Sequence, residues 1–486
     1  MSRVVVVGAG VGGLAAAARL AHAGHDVTVC EAQEVVGGKL GIYERDGFSF
    51  DTGPSLVTMP QVFRSLFDDT GGWPHGLELT PLEPIARYRF ADGTGFDATS
   101  DLDDFCGRLE AWSSGSGEDW RRFMEHARKV WEATRVPFLE SPLHGPLSML
   151  RLAAQSPRDI ATIAPGRTLR ALGRRHLRDP RLRMFLDRYA TYTGSDPRRA
   201  PAALAVVPYV EQEFGGWYVP GGLRRLGDAV HERALECGAV VLLGARVTQI
   251  STANGRADGV QLSDGRRLQA DVVVANVDAA SVYGDLVSAP RAAARLARAT
   301  PSLSGFVLLL AVRGRTEGLA HHNVLFPKAY DDEFDAVFGS PARPVPDPTL
   351  YVSAPDDPPV RPDGHEAWFV LANAPRQGPV DWRAPDLAQR YAELLLDRLT
   401  ERGLPVHERV LWSHVLTPAD LEDRTGAVGG AIYGTSSNGA AAAFLRPANR
   451  SPVRGLFLVG GSSHPGGGLP LVTLSAKIVA ELVGPA

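Results

Sequence analysis

An α/β fold opening on a dinucleotide-binding βαβ unit is predicted by three observations. A β-branched run at 3–7 leads directly into Gly8-Ala9-Gly10-Val11-Gly12-Gly13. An Ala- and Leu-rich stretch at 12–23 reads as a helix. The run 26–31 reads as a second strand that ends on Glu31, 18 residues after Gly13. In this order Gly8 permits the tight turn, Gly10 lets a pyrophosphate reach the backbone, and Gly12 opens the helix. Gly13 lets helix and strand pack closely, and Glu31 can bond ribose hydroxyls. The acid disfavours a 2′-phosphate, so NADP is not expected here.

The chain has 486 residues, a net charge of −4, 44% hydrophobic and 22% charged residues. This is globular composition, and at roughly 150 residues per domain the length implies more than one core. The charge balance argues against a nucleic-acid binder. Cys30, Cys106 and Cys237 are far apart and form no CxxC or zinc spacing. No metal site is therefore expected, and a reducing, cytoplasmic setting fits. No apolar run reaches the roughly 18 residues of a spanning helix. The N-terminus enters the first strand without a signal peptide's apolar region.

Residues 101–137 read as helical, with Trp120, Phe123, Met124, Ala127 and Trp131 recurring on one face. Residues 178–190 repeat the pattern with Leu182, Phe185, Leu186 and Tyr189. Between Arg167 and Arg199 lie ten arginines and three aspartates, a net +7. Arginines beside an apolar helix face can mark an interfacial helix on anionic lipid. The alternative is a solvated face in a chain with only four lysines. The apolar run 239–243 precedes strands at 246–251, 259–262 and 267–269, joined by Asn254-Gly255 and Asp264-Gly265 turns. The apolar run 272–275 is expected to close this meander. Runs 306–312 and 368–372 look like strands of another sheet, and the Pro- and Asp-rich 341–363 reads as a loop.

Three further segments bring backbone toward a ligand. Gly37-Gly38-Lys39 follows Glu31 closely, and Lys39 can neutralise phosphate. Asp51-Thr52-Gly53-Pro54-Ser55 follows an aromatic residue. Near the C-terminus, an apolar strand ends in Gly460-Gly461. The loop Ser462-Ser463-His464-Pro465-Gly466-Gly467-Gly468 then leads through Leu471 and Val472 into a helix expected from residue 473. A glycine-rich loop entering a helix is an anion-binding arrangement. No second strand, GxGxxG and acid are found, so one dinucleotide served by both ends of the chain is the economical reading.

These motifs resemble the bacterial phytoene desaturase family of carotenoid desaturases, within the amine-oxidase-like flavoproteins, over essentially the whole chain. Tyr189-Ala190-Thr191-Tyr192-Thr193-Gly194, Trp217-Tyr218-Val219-Pro220-Gly221-Gly222, Leu319-Ala320-His321-His322 and Leu445-Arg446-Pro447-Ala448-Asn449-Arg450 add to the match. The resemblance implies an α/β fold with a Rossmann-type FAD-binding domain (1–75, 215–285 and 440–486). A discontinuous α+β substrate domain would take 76–214 and 286–439. The implied cofactor is FAD, held at Gly8, Gly10, Gly12, Gly13, Glu31, Gly37, Gly38, Lys39, Gly53, Pro54 and Ser55. Val247 would meet the adenine through its backbone, and Gly460, Gly461, Leu471 and Val472 would lie along the flavin. The family usually has Arg where Lys39 stands, so charge is kept and bidentate geometry lost.

The implied reaction is desaturation of an apolar polyene, with hydride passing to flavin and a proton leaving the adjacent carbon. His464 and Glu211 are the candidate acid–base groups, each with a structural role as the alternative. Some relatives carry Asp-x-x-Arg where this chain has Ser148-Met149-Leu150-Arg151, so Arg151 is kept and the acid is absent. Related scaffolds act on hydroxy or methoxy carotenoids, or cyclise or reduce polyenes in polyketide clusters. Rab escort proteins share the fold as lipid carriers, but this chain keeps the residues of a flavin site. Oxygen or a quinone is the expected electron acceptor, and the expected location is cytoplasmic, with a peripheral site on the inner face of a membrane as the alternative.

Overall fold

The computed structural model describes residues 1–143, 157–439, 442 and 446–486. Its first layer is a parallel sheet in the order Leu456–Leu458, Val272–Ala275, Arg3–Val7, Asp26–Cys30 and Val240–Leu242. The strands are near-continuous Val runs because both faces are covered. Val4 and Val6 pack on the helices Val11–His22, Arg224–Glu236 and Leu469–Val483. Val5 and Val7, on the opposite face, pack with Val247, Ile250 and Val260 of an antiparallel meander. The alternation follows from the two-residue period of a strand.

That meander comprises Val247–Ala253, Arg256–Leu262 and Arg267–Gln269. Val272–Ala275 does not close it. It crosses into the parallel sheet, where Val273 pairs with Val5 on one side and Leu456 on the other. All four residues of that strand are buried, so a strand apolar on both faces belongs in a covered sheet rather than a half-exposed meander.

The second layer is a seven-stranded sheet. Its order is Val410–Leu416, Ser304–Arg313, His365–Ala374, Leu350–Ser353, His322–Leu325, Ala86–Arg89 and Gly95–Ala98. Leu350–Ser353 lies inside the stretch expected to be loop. Its Leu350 and Val352 are buried, and four apolar-patterned residues were hidden by their Pro- and Asp-rich flanks. One face of this sheet packs Phe306, Leu308 and Trp368 on the helix Leu387–Glu401. The other face packs Leu309 and Phe369 against Phe48 and Phe50 of the hairpin Ile42–Asp51.

Helices cover the far end of that sheet. The stretch 101–137 forms two helices, Leu102–Trp112 and Ser116–Thr134, divided where Gly115 takes φ +81°. The stripe from Trp120 to Trp131 is buried as expected. Leu182, Phe185, Leu186 and Tyr189 are buried too, in a cluster with Tyr88, Phe96, Phe105 and Trp120. The apolar face expected to meet lipid is thus inside the protein. Several arginines of the basic segment meet carboxylates: Arg170 with Asp187 and Asp331, Arg178 with Asp119, Arg181 with Asp92 and Asp179, and Arg198 with Asp196 and Asp335. No helix among the described residues is long and apolar enough to cross a membrane.

Candidate functional site

The site forms where the parallel strands end. The helix Val11–His22 starts at Gly10 without a side-chain cap, which leaves its first N–H groups for a ligand. A Cβ on Gly13 would stand 2.2 Å from the Gly8 carbonyl oxygen, so only glycine fits there. The Glu31 carboxylate is buried and accepts from the Ala9 N–H at 2.7 Å and the Gln33 N–H at 2.9 Å. Gly37 donates its N–H to the Ala9 carbonyl at 2.9 Å, which lays Gly37 and Gly38 against Gly10. Ala245 donates to the Glu31 carbonyl at 2.7 Å, which fixes the start of the strand carrying Val247 beside the same acid.

Asn276 is the residue that sequence reasoning missed here. It follows the strand Val272–Ala275 and donates from Nδ2 to the Gly8 carbonyl at 3.2 Å. Its amide lies 2.9 Å from the place a Cβ would take on Gly10, Gly12 or Gly13, and 2.6 Å from that on Gly460. One side chain thus links the N-terminal glycine loop to the C-terminal one. The available signal was an Asn at the carboxyl end of an apolar strand, the place where open parallel sheets bind ligands.

Lys39 donates from Nζ to the carbonyls of Ala431 and Ile432 at 3.0 and 2.5 Å. Burial lowers its pKa to about 8, opposed by Asp278 and aided by Arg446. Arg446 is buried and donates to the carbonyls of Tyr433, Gly461 and Thr435. Desolvation lowers its pKa to about 10. A second buried acid, Asp51, accepts from the N–H groups of Leu223 and Arg224 at the start of their helix, and burial raises its pKa to about 6. Beyond it, the Gly53 backbone packs on the Lys39 carbonyl and Ser55 Oγ meets the Tyr351 hydroxyl. Pro54 lies between these two contacts in the chain.

The closing loop carries His464, which is buried. Its Nε2 lies 3.0 Å from the Ser141 carbonyl. A carbonyl only accepts, so this network assigns the proton to Nε2 and leaves Nδ1 as the base. Burial lowers the imidazole pKa to about 4. The loop backbone is tied down by Pro447, Asn449 and Ser475. The helix that follows begins at Leu469 rather than 473, because Pro470 is tolerated in a first turn. Leu471 and Val472 therefore sit in that turn, with Val472 against Gly12.

Glu211 stands apart, on Val206–Phe214. Its Oε1 accepts from the Tyr189 hydroxyl at 2.6 Å, and burial raises its pKa. No hydrogen bond joins it to His464 among the described residues. Arg151 lies outside the described residues.

Tyr192, Tyr351, Tyr433 and Lys39 are deep in the molecule yet keep accessible surface. Surface of that kind on interior side chains is open to contact with a ligand. The Tyr433 ring lies against both Gly467 of the closing loop and Gly194, which joins the closing loop to the Tyr192 segment. A separate open groove of about 1020 Å³, lined by Arg87, Arg89, Trp112 and Arg402, touches none of these residues.

The cradle suits a dinucleotide. The helix is uncapped, glycines stand where a Cβ would collide, and an acid follows the second strand. Residues 11–484 match the family model for flavin-containing amine oxidoreductases. The chain is 34% identical to a 4,4'-diapolycopene oxygenase of Methylomonas sp, over 99% of this chain and 98% of that protein. It is 36% identical to a hydroxyneurosporene desaturase of Cereibacter sphaeroides (99% and 97% covered). It is 34% identical to a zeta-carotene-forming phytoene desaturase of Myxococcus xanthus (99% and 93% covered). A solved putrescine oxidase bound to putrescine superposes with a TM-score of 0.67 at 18% identity, covering 99% of each chain.

Proposed function

Because this chain belongs to the flavin-containing amine oxidoreductase family, among its carotenoid desaturases and oxygenases, we propose that it is an FAD-dependent desaturase of a long apolar polyene. The observation that carries the reading is the uncapped glycine cradle, whose closing loop meets the Tyr192 segment through the Tyr433 ring. We assign 1–75, 215–285 and 440–486 to the cofactor domain and the remainder to the substrate domain.

The first N–H groups of Val11–His22 would take the pyrophosphate and Glu31 the adenosine ribose, with Val247 beside the adenine. Lys39 would supply positive charge, and Gly460, Gly461, Leu471 and Val472 would border the ring system, with Gly53, Pro54 and Ser55 facing them. FAD, when bound, supplies the hydride acceptor. His464 Nδ1 would receive the proton lost from the neighbouring carbon. A base with a pKa near 4 is weak, but a carbon beside a delocalised cation is acidic enough for it. Glu211 is the second candidate. Its carboxyl is already engaged by Tyr189, which suits a structural role. Oxygen or a quinone would then reoxidise the flavin.

The test is anaerobic mixing of the flavin-loaded protein with acyclic carotenoids. Bleaching of the flavin, with a product lighter by two hydrogens, is the expected result. The Methylomonas relative carries the name of an oxygenase, so labelled oxygen is added in a second run. Label in the product would replace desaturation by oxygenation. A product heavier by two hydrogens would replace it by reduction or reductive cyclisation. A flavin that no polyene bleaches would end the reading.

A further inference from the structure

Arg188 is the last residue of the helix Pro180–Arg188 and is 8% exposed. Its Nε is sealed from solvent without an acceptor. The side chain makes no hydrogen bond or ion pair with a described residue. Its guanidinium carbon lies 5.2 Å from the ring centre of Tyr192 and 5.5 Å from that of Tyr351. Both rings keep some accessible surface. Two acids act on it electrostatically, Glu211 and Glu333, and both are occupied elsewhere. Glu211 accepts from Tyr189, and Glu333 accepts from the Thr349 N–H and the Asn373 amide. The Tyr330 hydroxyl is likewise buried without a partner.

A buried guanidinium without an acceptor costs several kcal/mol unless a bound group completes it. Stacking on two rings offsets part of this and satisfies none of the N–H donors. Arginine donates only, so the missing partner is an acceptor oxygen. An entirely hydrocarbon polyene has none to offer.

We propose that Arg188 reads the end group of the substrate, a hydroxyl whose oxygen accepts from the guanidinium while the apolar chain lies against Tyr192 and Tyr351. Arg188 is then the residue that sets end-group specificity, and the substrate is an acyclic polyenol rather than the parent hydrocarbon.

The inference rests on the polyene reading above, and the experiment separates the two. Dissociation constants are measured on flavin-loaded protein by quenching of tryptophan fluorescence. The ligands are an acyclic polyene with a hydroxyl end and its hydrocarbon parent, each with wild type and Arg188→Met. Flavin content and melting temperature are recorded for both proteins. A hydrogen bond to a charged donor contributes about tenfold to a hundredfold in affinity. Wild type should prefer the alcohol by about tenfold or more. Arg188→Met should lose that preference and keep its hydrocarbon affinity and flavin. Equal wild-type affinity for the two ligands overturns the inference whether or not the variant folds. So does a variant that weakens both ligands alike at full flavin content. A protein that binds neither ligand overturns the polyene reading, and this inference with it.

Discussion

The glycine cradle and the aromatic core around Phe185 hold opposite tolerances. At the cradle the fit depends on atoms that are absent, as when a Cβ on Gly13 would come within 2.2 Å of the Gly8 oxygen. At Phe185 it depends on atoms that are present, since the ring packs on Tyr88, Phe96, Phe105, Trp120 and Tyr189 at centroid distances of 4.7 to 5.9 Å. One region admits no added atom and the other no removed atom. A cofactor recognised through backbone requires the first, and a core that holds its shape by packing requires the second.

The largest expected effect comes from Phe185→Ala. Removing a fully buried ring should cost about 3–5 kcal/mol in denaturant unfolding while the folded fraction keeps its flavin. A variant that stays stable but sheds flavin would break the comparison. Gly13→Ala should cost less, about 1–3 kcal/mol, because the chain must shift to admit one methyl. Its flavin absorbance should fall nearly to nothing, and unchanged absorbance would contradict the cradle.

The next effect is on pH. His464 has its pKa lowered from 6.5 to about 4 in the folded state, so the neutral ring is favoured by folding. That contribution is fully present above about pH 6.5 and is lost as pH falls through about 4, on the order of 3 kcal/mol in all. Melting temperatures should therefore drop steeply between pH 6 and pH 4, and less steeply in His464→Gln. Some slope should remain from His322, which burial also lowers to about 4. Identical profiles for wild type and variant would exclude His464 as a source of the acid sensitivity. The smallest effect belongs to Glu31→Gln. The amide oxygen can still accept from Ala9, but the amide NH2 would face the partly buried Gln33 N–H, so stability should fall by about 1 kcal/mol. Flavin affinity, measured by titration of the apoprotein, should fall about tenfold, and undiminished affinity would remove Glu31 from the ribose site.

The same contrast explains what was legible in the sequence. The cradle is written locally: Gly8 to Gly13 and Glu31 lie within one βαβ unit, and their spacing carries the geometry. The group of Arg188, Tyr192 and Tyr351 is assembled from distant parts of the chain, which no local pattern connects. Asn276 escaped because its strand was read as part of the meander, which put it far from Gly8. Arg188 was counted as one charge of a basic surface. It stands three residues after Phe185, on the buried stripe, and a cation in that register was the signal available. The strand Leu350–Ser353 was missed because composition over twenty residues outweighed the pattern of four.

The parallel sheet has a consequence for the time course of synthesis. Of its strands Arg3–Val7, at the centre, emerges before the rest, its neighbour Val272–Ala275 much later, and the edge strand Leu456–Leu458 later still. Pairings so distant along the chain are slow to form and leave apolar edges unpaired meanwhile. The nascent protein therefore carries half of a nucleotide cradle with nothing to complete it until the last strand arrives. Until then Val4 to Val7 have only Asp26–Cys30 to pair with.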